Sequence, residues 1–184
     1  MSVQRFSIPG HATRRDFSIY AVVARKIEGT EWYVYVGKTG DNRAGCNPVV
    51  SRAGNHFSYN DVHSQVRTKL APALPHEFDF EYFYVSFHAY STEDAGLRNK
   101  IDSINEMERA ANVAIHDALP TEDRKRLLNP YRGRGYISKD TRAMRTSLRT
   151  EEHTAKIANL AAAVAEFVGG NVTANPSFKP DGAA

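Results

Sequence analysis

Two runs rich in aromatic and β-branched residues, 17–25 (FSIYAVVAR) and 31–37 (EWYVYVG), stand on either side of Glu28-Gly29-Thr30. Such runs suit a pleated, half-buried surface, and the short break with its glycine is a turn signal. Together they predict an antiparallel hairpin. A third run, 78–87 (FDFEYFYVSF), opens with Phe78, Phe80 and Tyr82 alternating with Asp79 and Glu81, the period of a strand. A two-stranded hairpin is marginally stable in water unless a third strand or a helix covers it.

The cover reads as helical. Asn47-Pro48 marks a helix start, with asparagine as cap and proline at the first helical position. A second short helix is expected after Asn60 and before Pro72, with Val62, Val66 and Leu70 as its apolar stripe. Ser91 or Thr92 would cap a long helix over 92–118, stopped by Pro120. Leu97, Ile101, Ile104, Ala111, Ile115 and Ala118 form its buried face. A basic helix over 121–128, a basic stretch with glycines over 131–147 and an Ala-rich helix over 150–168 follow. The fold class is α+β: a small, mostly antiparallel three-stranded sheet flanked by helices, with an added C-terminal helix. The organisation reads as an arm over 1–16, a central domain over 17–130, and a basic segment, helix and loose tail over 131–184.

Composition narrows the function classes. No apolar run reaches the ~20 residues that a membrane-spanning helix needs, so no membrane partner is expected. The single cysteine, Cys46, rules out an internal disulfide and a multi-cysteine zinc site, and makes a cytoplasmic location the default. Net charge is +3 but unevenly spread: residues 1–26 hold five Lys/Arg against one acid, and residues 120–150 nine against three. Basic segments flanking an acidic middle suit a polyanion, or a solvated surface.

Glu108 is the sharpest single residue. Its spacing from Ile101, Ile104, Ala111 and Ile115 puts it on the apolar stripe of the long helix, where a carboxylate needs a cation, a metal ion or a salt bridge at the stripe edge. Glu106 falls on the polar side, beside Asp102 and Arg109. Arg52 and His56, four apart, share a helix face; Arg is a fork suited to phosphate and His can move a proton, although an ordinary surface pair has the same spacing. Tyr20 and Tyr35 sit in the hairpin strands, where packing is the commonest role of a tyrosine. Trp32, Tyr33, Tyr82 and Tyr84 read as sheet or core residues. Lys38-Thr39 lacks the rest of a phosphate-loop signature, which excludes a nucleotide-triphosphatase of that kind. His63 lies in the second helix, away from its stripe.

In this order and on these elements, the residues resemble the GIY-YIG nuclease family. Ser18-Ile19-Tyr20 stands for its first motif, with serine in the place of glycine, and Tyr35-Val36-Gly37 for its second. Lys38-Thr39, Arg52-Ala-Gly-Asn-His56, His63-Ser64, Glu106-Met-Glu108-Arg109 and Asn129 follow as the family's later elements do. The resemblance covers about residues 17–130.

It implies metal-assisted phosphodiester hydrolysis. Tyr20, Tyr35, Lys38, Arg52, His56 and Glu108 would be catalytic, with Glu108 the ligand of Mg²⁺ (or Mn²⁺). Tyr20 would orient or deprotonate water, helped by His56 or Lys38. Gly37, His63, Asn129, Arg132 and Arg134 would contact substrate. The partner implied is double-stranded DNA, with a possible homodimer for a restriction-type double-strand cut. A structure-selective or mobile-element nuclease, and a nucleic-acid-binding module on a decayed nuclease scaffold, are the alternatives.

Overall fold

The structure is a computed structural model that describes residues 5–40, 45–60, 63–131 and 138–170. It is α+β, as expected. Three antiparallel strands, β1 (Asp16–Lys26), β2 (Trp32–Lys38) and β3 (Phe78–Ala89), lie in the order β2-β1-β3. The register sets Tyr20 opposite Gly37 on one side and Tyr84 on the other, and Val22 between Tyr35 and Tyr82.

Alternation along the strands gives the sheet two unlike faces. One carries Phe17, Ile19, Ala21, Val23, Val34 and Val36 and is covered by α3 (Leu97–Ala118) and α5 (Glu151–Gly170). The other carries Tyr20, Val22, Ala24, Tyr33, Tyr35, Phe78, Phe80, Tyr82 and Tyr84. Val66 and Leu70 of α2 (Gln65–Leu70) and Phe57, just after α1 (Val49–His56), pack on that second face. A short α4 (Lys139–Ser147) precedes α5. No helix of the described residues is long and apolar enough to cross a membrane.

The helix boundaries differ from the sequence reading for local reasons. Pro48, not Asn47, occupies the cap of α1: its extended ψ of 158° holds it outside the helix while its carbonyl accepts from Ser51 and Arg52. The long helix starts at Leu97 rather than near Thr92, because the Asp94 side chain takes the Gly96 amide and builds a turn first. Ala118 is exposed, and Leu119 fills the buried position at that end. Helix α2 begins only at Gln65, so His63 precedes it; Val62 lies outside the described residues. The basic helix expected over 121–128 is a 3-10 turn, Thr121–Arg126.

Glu106 and Asp102 correct the sequence reading most. They do lie together with Arg109, but they are buried, at 2% and 4% exposure. The chain after residue 137 folds back over that side of α3. Asp102 takes Arg98 and Arg145, and Glu106 takes Arg109 and Arg149. A helix read as one-sided is thus covered on two sides.

Candidate functional site

Tyr20 is fully buried in the middle strand. Its ring lies over Gly37: a Cβ at that position would sit 2.5 Å from the Tyr20 hydroxyl. The glycine therefore seats the tyrosine, which then points its hydroxyl along the face. Tyr20 Oη lies 2.8 Å from His56 Nε2, and Arg52 is close enough to hydrogen-bond the same hydroxyl. Arg52 and His56 share the α1 face as their spacing predicts. Tyr35, from the neighbouring strand, sets its ring edge-on to His56 at 5.1 Å.

Glu108 enters from α3. Lys38, at the end of β2, and Arg52 act on its carboxyl electrostatically, and it in turn acts on Tyr20 and Tyr35. Six side chains separated by up to 88 positions thus meet: Tyr20, Tyr35, Lys38, Arg52, His56 and Glu108.

Burial dominates the electrostatics. It raises the Tyr20 phenol well above the ordinary tyrosine range, and the Arg52 charge and hydrogen bond offset only part of that. It pushes the Tyr35 phenol up to about 12. It lowers His56 to about 4, helped by the Arg52 charge, so the imidazole is neutral at neutral pH. Neither tyrosine is therefore a phenolate by virtue of its protein surroundings. In the tautomer that carries its proton on Nδ1, the neutral imidazole accepts from the Tyr20 hydroxyl.

Glu108 is half-buried and has no hydrogen bond or ion pair within the described residues. Burial raises its carboxyl above the usual range, opposed by Lys38 and Arg52. A carboxylate held this way, with cations near but not touching, fits a single oxygen ligand of a divalent ion. Among the described residues no three metal-ligating side chains cluster, so water and substrate oxygens would complete such a shell, a habit of Mg²⁺.

Asn129 acts at one remove. Its side chain plays the part of a missing strand: Oδ1 accepts from the Val36 amide at 3.0 Å and Nδ2 donates to the Val36 carbonyl at 2.7 Å. The outer edge of β2 is closed between Tyr35 and Gly37. Asn112, one turn after Glu108, donates to the Asn129 carbonyl and accepts from the Tyr131 amide. The helix that carries Glu108 is thereby stitched to the strand that carries Tyr35. Sequence reasoning missed Asn112; a polar residue one turn from Glu108 was its only signal.

Tyr82 was also missed. It lies beside Tyr20, with ring centroids 6.3 Å apart, and its buried hydroxyl has no partner among the described residues. Thr39 pins the mouth of the hairpin, accepting from the Ser18 amide at 2.7 Å. Ser18 itself sits at a register shift of β1 and bonds Ser86. His63 is exposed, and no described contact joins its side chain to the cluster. Arg132 and Arg134 lie outside the described residues. Comparisons with protein-family models, curated proteins and solved structures find no match to this chain.

Proposed function

We propose that the protein is a metal-dependent endodeoxyribonuclease, of the kind that its GIY-YIG resemblance implies. The observation that carries this reading is the convergence of Tyr20, Tyr35, Lys38, Arg52 and His56 on one carboxylate, Glu108, that no cation among the described residues touches. A core salt bridge would have closed that pair. A pure binding surface has no use for a carboxylate facing phosphate.

In this reading Arg52 neutralises the scissile phosphate with a charge that no pH removes. Water forms the new bond to phosphorus as the bond to the leaving sugar oxygen breaks. The water's proton passes to Tyr20 Oη, whose own proton passes to His56 Nε2, 2.8 Å from that oxygen; the leaving oxygen is protonated from solvent. Tyr35 and Lys38 orient the phosphate and the water. Glu108 would hold Mg²⁺ or Mn²⁺, which supplies charge neutralisation at the leaving oxygen. Asn129 acts by fixing β2, and Gly37 by seating Tyr20.

Double-stranded DNA is the proposed substrate, cut on both strands by a homodimer or by two successive nicks. The basic segment contributes less to DNA than its composition suggests, because Arg145 and Arg149 are taken up by Asp102 and Glu106. Arg132 and Arg134 remain proposed contacts. The test is incubation with supercoiled plasmid and Mg²⁺, beside Glu108→Ala and an EDTA control. Metal-dependent cleavage lost in the variant is expected, with discrete bands for a restriction-type enzyme and a smear for a structure-selective one. Intact plasmid across several DNA sources and metals would sink the reading.

A further inference from the structure

Tyr59 is 94% exposed, an unusual position for a ring that would ordinarily be packed. One face of it is attended by Arg67, whose guanidinium carbon lies 5.4 Å from the ring centroid. Arg67 is not a loose side chain. Its Nε donates to the Ser58 carbonyl at 3.0 Å and its Nη2 to Ser64 Oγ at 3.1 Å. Below the pair runs a groove of about 580 Å³, lined among others by Phe57, Pro72, Leu74 and His76. Leu74 is itself 52% exposed. No carboxylate is among its described lining residues.

The place of this pair in the chain gives it meaning. Tyr59 follows His56 by three residues, so the two backbones are at most about 11 Å apart. That is about three base steps of a nucleic-acid strand. An open aromatic face, a fixed guanidinium and an apolar groove are what an unpaired base and its backbone require.

We infer that Tyr59 and Arg67 form a stacking platform for an unstacked nucleobase in the strand that passes the Tyr20–His56 pair. This rests on the nucleic-acid part of the proposed function, not on catalysis. A proline-rich peptide could also lie in an aromatic groove, but the guanidinium fixed beside the ring and the three-residue step to His56 favour a nucleic-acid strand.

The test is binding in EDTA, where cleavage plays no part. Wild-type protein, Tyr59→Phe and Tyr59→Ala are titrated against single-stranded DNA, a duplex with a one-base bulge and a fully paired duplex. A 2-aminopurine in the unpaired segment reports stacking. Tyr59→Phe should bind like wild type. Tyr59→Ala should lose about tenfold in affinity for the unpaired DNAs and lose the fluorescence quench, with little change on paired duplex. Thermal melts would check that both variants fold. DNA binding and quench in Tyr59→Ala equal to wild type would overturn the platform alone. Absence of DNA binding by wild type would overturn the nucleic-acid reading with it. Loss in Tyr59→Ala of binding to a labelled proline-rich peptide, with DNA binding untouched, would assign the groove to protein.

Discussion

Single residues here are held in states that have measurable consequences. Burial raises the Glu108 carboxyl, against the pull of the Lys38 and Arg52 charges. A carboxyl raised in the folded state favours folding most below its unfolded value, near 4.5, and that advantage is lost as pH rises through its folded value. Glu108→Gln should therefore melt higher than wild type at pH 8 in EDTA, and the gap should close towards pH 4. Mg²⁺ should raise the wild-type melt and leave the variant unmoved, by about 2.7 kcal/mol at a hundredfold excess over Kd. Equal melts at both pH values would show that the carboxylate is not under strain. His56 has the opposite sign. Its folded value of about 4 lies below the ordinary 6.5, so stability declines as pH falls from about 6.5 to about 4. If the imidazole accepts the Tyr20 proton, the acid limb of kcat/KM should also fall near pH 4 to 5; a limb near 6.5 would remove His56 from that role. Gly37→Ala would drive a methyl into the Tyr20 ring, a clash worth about 1–3 kcal/mol, and should abolish cleavage together with the Tyr20–His56 contact.

At the scale of elements, β2 is the strand to test, because its outer edge is held at Val34 by the Leu128 amide and at Val36 by the side chain of Asn129 alone among the described residues. Asn129→Ala leaves the Val36 amide and carbonyl unpaired, a loss of about 1–3 kcal/mol readable in urea denaturation. Asn129→Asp should be nearly as damaging, since it keeps the acceptor but sets a carboxylate against the Val36 carbonyl. A neutral result for Asn129→Asp would mean that the edge is held some other way. Asn112→Ala should act differently, loosening α3 against β2. A fall in kcat larger than its effect on KM would mark it as a positioning residue; an unchanged kcat would make the stitch purely structural. These elements also show what was legible. The strands were readable because period-two alternation and the Glu28-Gly29-Thr30 turn are local signals, and Arg52, His56 and Glu108 because helical spacing is local too. Tyr82 and Asn112 were not, since their meaning lies in what the register and a distant loop bring beside them. The same holds for Glu106 and Asp102: nothing within α3 announces that a segment forty residues later will bury them.

At the scale of the whole molecule, the motif-bearing part and the C-terminal part form one core. Ile157, Leu160, Ala161, Val164 and Val168 of α5 lie in the same cluster as Phe17, Ile19, Val34 and Ile104. Asp102 and Glu106 lock the approach to that helix through Arg145 and Arg149. Burial works against ionising Glu106, but hydrogen bonds from Arg109 and Arg149 prevail and hold its carboxyl below the usual range. A lowered carboxyl adds stability that is present above its unfolded value, near 4.5, and lost as pH falls below it. Glu106→Ala, which strands two arginines, should cost about 3–5 kcal/mol at pH 7 and much less at pH 3, by denaturant unfolding followed by circular dichroism. Cutting the chain after residue 148 removes α5 and uncovers the sheet face that it packs against. The shortened protein should show no cooperative melt and no protected amides in β1. A cooperative melt of that fragment would mean instead that residues 17–130 fold alone, and that α5 is an addition to a complete domain.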